Sequence, residues 1–232
     1  MSSSPGRPGH SGHVSSAVVI APSLPPVPCV DAGMSLGGGV VDLATRVLVA
    51  GVVPAPRFGR EGEVVATAAA LVASGADLVD VSLPPRMIGP AARAGEVPVV
   101  VRVASVEQAA AAGRAGAAAV LVPAGVLARR GRESEPPALG PSRVVVVDDL
   151  ADLTAARAVA ERLRLPLAFD STGWSSAAAI AREAAAVAEG CRLIRTTDVR
   201  RSRRVAEVMA AILGARRAAD GIPPADDSEA QP

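Results

Sequence analysis

The chain has 232 residues, half of them apolar, with 24 Lys or Arg against 23 Asp or Glu. It contains no lysine, asparagine or tyrosine, which excludes Schiff-base enzymes, lysine-based phosphate loops and kinase-type phosphoryl transfer. Its histidines, His10 and His13, lie in a Ser/Gly/Pro-rich leader, and Cys29 and Cys191 are the two cysteines, so a Ser-His-Asp device, a zinc site and a disulfide framework are excluded as well.

Residues 1–26 have almost no periodic apolar pattern and are expected to form a disordered tail. The segment Ala17 to Ala21 is too short and proline-bounded for a secretory signal. No run reaches the ~20 apolar residues of a membrane span. The sequence therefore predicts a cytoplasmic protein with reduced thiols. The balanced charge and three aromatics (Phe58, Phe169, Trp174) give no basis for nucleic-acid or membrane partners.

From there one alternation runs through the chain. Strands are predicted at Val47–Val53, Leu78–Val81, Val97–Val103, Ala118–Val122, Val144–Val147, Pro166–Phe169 and Cys191–Arg195. Such short, largely apolar runs fit strands buried on both faces, as in parallel sheets. Helices are predicted over Glu61–Ser74, Val106–Ala115, Leu150–Arg164, Ser175–Glu189 and Arg200–Arg217. Gly75 and Gly116 read as C-terminal glycines, and Ser105, Asp149 and Asp198 as N-caps. Gly39–Leu43 is expected to pair with Val47 onwards in a hairpin that closes the barrel bottom.

This alternation implies a parallel α/β fold with right-handed crossovers. The fold class predicted is a TIM-type (β/α)8 barrel over residues 27–218. Seven units are countable, so the barrel is expected to be shortened by one βα unit, lost at the polar stretch 124–142. A doubly wound sheet is disfavoured because no G-x-G-x-x-G loop follows an early strand. Residues 219–232 (ADGIPPADDSEAQP) are expected to be a disordered acidic tail.

Candidate functional residues cluster at strand ends, the catalytic face of such barrels. Arg195 ends the last strand and suits either an anion or an ion pair with a nearby carboxylate. Asp80 and Asp148 end two others and suit acid/base work or loop anchoring. Asp170 to Trp174 suit a pocket floor or ordinary turn chemistry. Of Arg200, Arg201, Arg203 and Arg204, a helix turns two outward. Cys191 is expected to be buried and inert.

Three stretches together resemble the dihydropteroate synthase family of pterin-binding barrels. Val49–Phe58 (VAGVVPAPRF) is similar to MGIxNxTPDSF, Ser74–Val81 (SGADLVDV) to EGADIIDV, and Gly190–Val199 (GCRLIRTTDV) to GAxIIRVHDV. The resemblance implies folate biosynthesis and transfer of a pterinylmethyl group. It places Arg195 on the phosphate-binding arginine, Asp198 on the aspartate two residues after the motif's valine, Asp80 on the second-strand aspartate, and Asp148 on the aspartate that meets the pterin ring. It also implies a Mg2+ cofactor and dimerisation through the last helices, over about 175–217.

The departures are heavy. Pro54 stands for the first-loop asparagine, Arg102 for the third-strand aspartate, Leu121 for the fourth-strand asparagine, and Thr197 for the histidine of the last motif. The family lysine falls near Gly173, and Arg86 is one residue out of register with a family arginine. Arg102 inverts a charge at the mouth. Each missing pterin partner costs a few kcal/mol, on the order of one desolvated hydrogen bond. Arg195, the helix-start amides and Ser202 remain as a candidate anion site.

Three functions are therefore expected from the sequence. The first is a divergent synthase-like protein with weak or no synthase activity and a residual phosphate site. The second is a non-catalytic partner of a true synthase, as homodimer or heterodimer. The third is another barrel enzyme acting on a phosphorylated metabolite through Asp80 and Asp148.

Overall fold

A computed structural model describes residues 34–36, 39–54, 61–81, 87–95, 97–129 and 141–219. The tails expected at 1–26 and from 220 onward lie outside these, as do Cys29, Phe58 and Arg86. Ala219, placed in the acidic tail by sequence, instead ends the last helix.

Two short antiparallel strands come first, β1 (Met34–Leu36) and β2 (Gly39–Val41). Seven parallel strands follow: β3 (Leu48–Val53), β4 (Leu78–Val81), β5 (Val99–Arg102), β6 (Ala119–Pro123), β7 (Ser142–Val147), β8 (Leu167–Asp170) and β9 (Leu193–Thr196). They hydrogen-bond in chain order, and β9 pairs with β3 to close the barrel. This is the TIM-type architecture with one unit fewer among the described residues. The intervening helices are α1 (Glu61–Ala73), α2 (Ile88–Gly95), α3 (Val106–Arg114), α4 (Ala124–Ala128), α5 (Leu153–Leu163), α6 (Ser176–Ala188) and α7 (Val199–Ala219).

Side chains alternate across each strand. Outward residues such as Val79, Val101, Val120, Val145 and Phe169 pack on the helices. Inward residues Leu48, Ala50, Leu78, Val100, Leu121, Val146, Ala168 and Leu193 fill the lumen. Met34, Leu36 and Leu43 join that lumen cluster from below. The hairpin thus closes the barrel bottom, but Gly39–Val41 pairs with Met34–Leu36 rather than with the strand at Val47. Val47 onward is already bonded on both sides by β4 and β9, which leaves no edge for a third partner.

The expected caps are present. Ser105 Oγ accepts the Gln108 N–H at 3.3 Å, Asp149 that of Ala151 at 3.2 Å, and Asp198 that of Arg201 at 3.3 Å. Gly75 and Gly116 hold positive φ angles of 98° and 95°, where glycine has no Cβ penalty. Helices α2 and α4 are additional to the sequence expectation. Helix α2 carries Pro90 in its first turn, where a proline removes no helical hydrogen bond.

Helix α7 seals the β3–β9 seam. A Cβ on Gly51 would come 2.8 Å from Val199 and 3.1 Å from Leu71, so glycine lets α7 and α1 lie directly on β3. Arg203 of α7 donates to the Gly75 carbonyl at 2.9 Å and pairs with Asp77, which also receives Arg46. No helix among the described residues is long and apolar enough to cross a membrane.

Candidate functional site

The strand alternation that puts apolar side chains in the lumen also sets its top layer. Two residues beyond Leu78, Val100, Val146, Ala168 and Leu193 stand Asp80, Arg102, Asp148, Asp170 and Arg195. All five therefore face the mouth from strand ends or the residue just after, and the structure joins them into one ladder of ion pairs. Arg195 donates to Asp80 through Nε and to Asp170 Oδ2 through Nη1 at 2.7 Å. Arg102 donates to the same Asp170 Oδ2 through Nη1 at 2.5 Å and to Asp148 Oδ2 through Nη2 at 3.2 Å.

The geometry of the ring makes this a plug. Between β5 and β8 lie β6 and β7 on one side and β9, β3 and β4 on the other. The Arg102–Asp170 pair therefore spans the lumen rather than running along its wall. Asp170 is the hub, since its Oδ1 also accepts the Thr172 N–H at 3.1 Å and the Thr172 hydroxyl at 2.7 Å. Thr172 in turn accepts Arg195 Nη1 at 3.2 Å. The ladder is graded in depth. Arg195 and Asp170 side chains are 8% and 2% exposed, whereas Arg102 and Asp148 are 34% and 63% exposed.

Burial pushes the Asp80 carboxyl above its ordinary range, against the pull of Arg195. Burial also works against the Arg195 charge, but Asp80 and Asp170 together outweigh it and hold its pKa above the usual value. Asp80 Oδ1 is buried with no hydrogen-bond partner among the described residues. The ion pair is thus what keeps a desolvated carboxylate at this depth.

Beside the plug is a cleft of about 350 Å³ lined by Arg102, Asp148, Asp149, Asp170, Thr172 and Trp174. The Trp174 indole N–H donates to the Asp148 carbonyl at 3.3 Å. Arg182 lies over the Trp174 ring, 3.5 Å from its centroid, and reaches Asp149 at 3.4 Å. These contacts join the Asp170–Trp174 turn to the end of β7.

The other two candidates stand apart from the ladder. Asp198 is exposed at the α7 N-terminus, where it caps the helix and lies 3.7 Å from Arg201. Ser202 is fully buried and donates to Glu183 Oε1 at 2.8 Å. Glu183 of α6 also accepts from Ser171 at 2.6 Å and Arg201 at 3.1 Å. Ser202 thereby ties α6 to α7. Arg200 and Arg204 face outward while Arg201 and Arg203 turn inward. Cys191 is buried, its thiol pushed up to about 12 by desolvation, which suits an inert cysteine.

The sequence marks Asp80, Asp148 and Arg195 as site candidates and leaves Asp170 between a pocket floor and turn chemistry. The available signal was positional. Asp170 stands two residues after a lumen alanine, as Asp80 stands after a lumen leucine.

No protein-family model matches the sequence, and no curated protein matches it. Solved structures do match the fold. Dihydropteroate synthase from Thermus thermophilus, in complex with 4-aminobenzoate, aligns over 78% of this chain and 98% of that one, with 21% identity and a TM-score of 0.54. The Burkholderia cenocepacia enzyme, complexed with 7,8-dihydropteroate, aligns over 81% and 98%, with 18% identity and a TM-score of 0.55. The Yersinia pestis enzyme aligns over 80% and 99%, with 16% identity and a TM-score of 0.54. The chain has the fold of the dihydropteroate synthase barrels, in a seven-stranded form.

The raised Asp80 pKa fixes a sign. A carboxyl that binds protons more tightly when folded favours folding at low pH and costs stability as pH rises through its raised value. Asp80→Asn abolishes that titration. Compared with wild type, this variant should lose less stability as pH is raised from about 4 to 7. Urea unfolding at fixed pH steps checks this, and a pH-independent difference would contradict it.

Proposed function

We propose that this chain is a dihydropteroate synthase-type barrel that does not transfer a pterinylmethyl group, and that it self-associates as a non-catalytic barrel. The observation that carries this reading is the Arg102–Asp170 bridge across the lumen. The family reaction, as the resemblance implies it, needs mouth carboxylates that accept hydrogen bonds from a flat heterocycle. Here those carboxylates already accept from guanidinium groups. A pterin would have to displace Arg102 from Asp170, a bridge that ends on a buried carboxylate also held by Arg195 and Thr172.

The charge balance also argues against the residual phosphate site. Three carboxylates and two guanidiniums leave the ladder one charge negative, and Arg195 is engaged by two of the carboxylates. The implied Mg2+ fares no better. The same carboxylates would be its oxygen donors, and among the described residues no group of three His, Cys, Asp or Glu is placed to hold a metal. The residues described do not fit the ion. An acid/base role for Asp80 and Asp148 is disfavoured likewise, since Asp80 is fully buried beneath Arg195.

Partnership rests on a second observation. Helices α6 and α7 leave Ile180, Val208 and Ile212 exposed on the outer face. Ile180 and Val208 line a shallow cleft of about 520 Å³ rimmed by Arg200 and Arg204. These exposed apolar side chains on one pair of helices are the association surface proposed. A second copy of the chain is the occupant proposed, because a two-fold contact would set the same exposed apolar side chains against each other.

Titration calorimetry with dihydropterin pyrophosphate and Mg2+, with pyrophosphate alone as control, tests the first part. We expect no binding heat and no turnover with 4-aminobenzoate. Micromolar binding that is lost in Arg195→Ala would overturn it. Sedimentation velocity tests the second part. Wild type should sediment as a dimer and Val208→Glu as a folded monomer, whereas a monomeric wild type would refute the surface.

A further inference from the structure

We propose that the β7–β8 side of the mouth is a recognition site for a planar N–C–N cation, an alkylguanidinium or amidinium, and that Arg102 occupies it in cis. The inference rests on the reading that the mouth does not take a pterin. It goes beyond it by naming what the mouth carboxylates are shaped to hold.

Three observations carry it. First, Arg102 presents its two terminal nitrogens to two different carboxylates, Nη1 to Asp170 at 2.5 Å and Nη2 to Asp148 at 3.2 Å. The two acceptors thus each meet a separate nitrogen of one guanidinium fork, a two-nitrogen contact that a single ammonium nitrogen does not reproduce. Second, Asp170 does not depend on Arg102 for its orientation. Thr172 and Arg195 hold the same carboxylate from other directions. Removing the arginine therefore leaves one acceptor pre-aimed and buried. Third, the cleft of about 350 Å³ adjoins this fork, so a small cation has room to enter from solvent.

A neighbouring feature shows that this corner suits such groups. Arg182 stacks 3.5 Å over the Trp174 ring while reaching Asp149. The cleft wall already binds one guanidinium by a ring face and a carboxylate.

The occupancy is graded. The Asp170 contact is buried at the carboxylate end, whereas the Asp148 contact is the longest rung and joins two partly exposed side chains. Exposed pairs are weak. The fork can therefore release Asp148 first, and an external guanidinium competes at that rung. Arg102 acts as a tethered competitor, and deleting it unmasks the site.

The experiment compares wild type, Arg102→Ala and Arg102→Met, with methylguanidinium chloride as probe and methylammonium chloride at matched ionic strength as control. Methionine keeps the apolar stem without the fork, so it serves if alanine does not fold. We expect methylguanidinium to raise the melting temperature of the Arg102 variants saturably, with affinity at least about tenfold above that for wild type. Methylammonium should not reproduce the rise, and Arg102→Met with Asp148→Asn should shrink it. An equal response in wild type and variants, or none in a folded variant, would overturn the proposal. Should both single variants fail to fold, their refolding yield is read with each salt, and equal yields would overturn it as well. Binding of dihydropterin pyrophosphate by wild type would instead overturn the reading of the closed mouth, so the two failures are told apart.

Discussion

Two arginines and three aspartates across the top of the barrel are the interaction on which the rest depends. Each aspartate stands two residues beyond an apolar lumen residue. Alone, Asp80 and Asp170 would be desolvated carboxylates sharing one small space, and that arrangement is strongly unfavourable. Arg195 and Arg102 convert it into an alternating array that links β4, β5, β7, β8 and β9. The mouth layer thereby acts as structure. It closes the lumen from above as Met34, Leu36 and Leu43 close it from below.

The number of strands makes this possible. Barrel diameter grows roughly linearly with strand number, so a ring of seven brings opposite strand ends closer than a ring of eight. An arginine on β5 then reaches an aspartate on β8. Closure of the smaller ring places its own demand at the β3–β9 seam, where Gly51 lets α1 and α7 settle onto the sheet. Behind that seam the buried Glu183 gathers Ser171, Arg201 and Ser202, which fixes α6 and α7 as one unit. The outer face of this unit carries the exposed apolar side chains.

Much of this was legible in the sequence. Runs such as VVVRV and VVVVD state buried strands plainly, and the count of seven followed from them. The charge inversion at Arg102 was also visible. What was not legible is which charges meet. Spacing of two along each strand places Asp80, Arg102, Asp148, Asp170 and Arg195 on the lumen face, but cross-lumen pairing depends on closure and ring size. Asp170 was read as a turn residue because Ser171, Thr172 and Gly173 follow it, and it does serve that turn through Thr172. Ser202 reads as part of an anion site with Arg195 and the helix-start amides, and in the structure it donates to a glutamate 19 residues earlier on another helix.

The most direct test of the central claim is a double-mutant cycle on the hub. Arg195→Met, Asp170→Asn and the double variant are compared with wild type by urea unfolding at neutral pH. If the ladder holds the mouth as described, each single change removes one buried partner and costs roughly 3–5 kcal/mol. The double variant should then be less destabilised than the sum by about 2 kcal/mol or more, within the range seen for contacting residues. Additivity to within about 0.5 kcal/mol would mean the two side chains do not depend on each other, and the closed mouth would lose its physical basis.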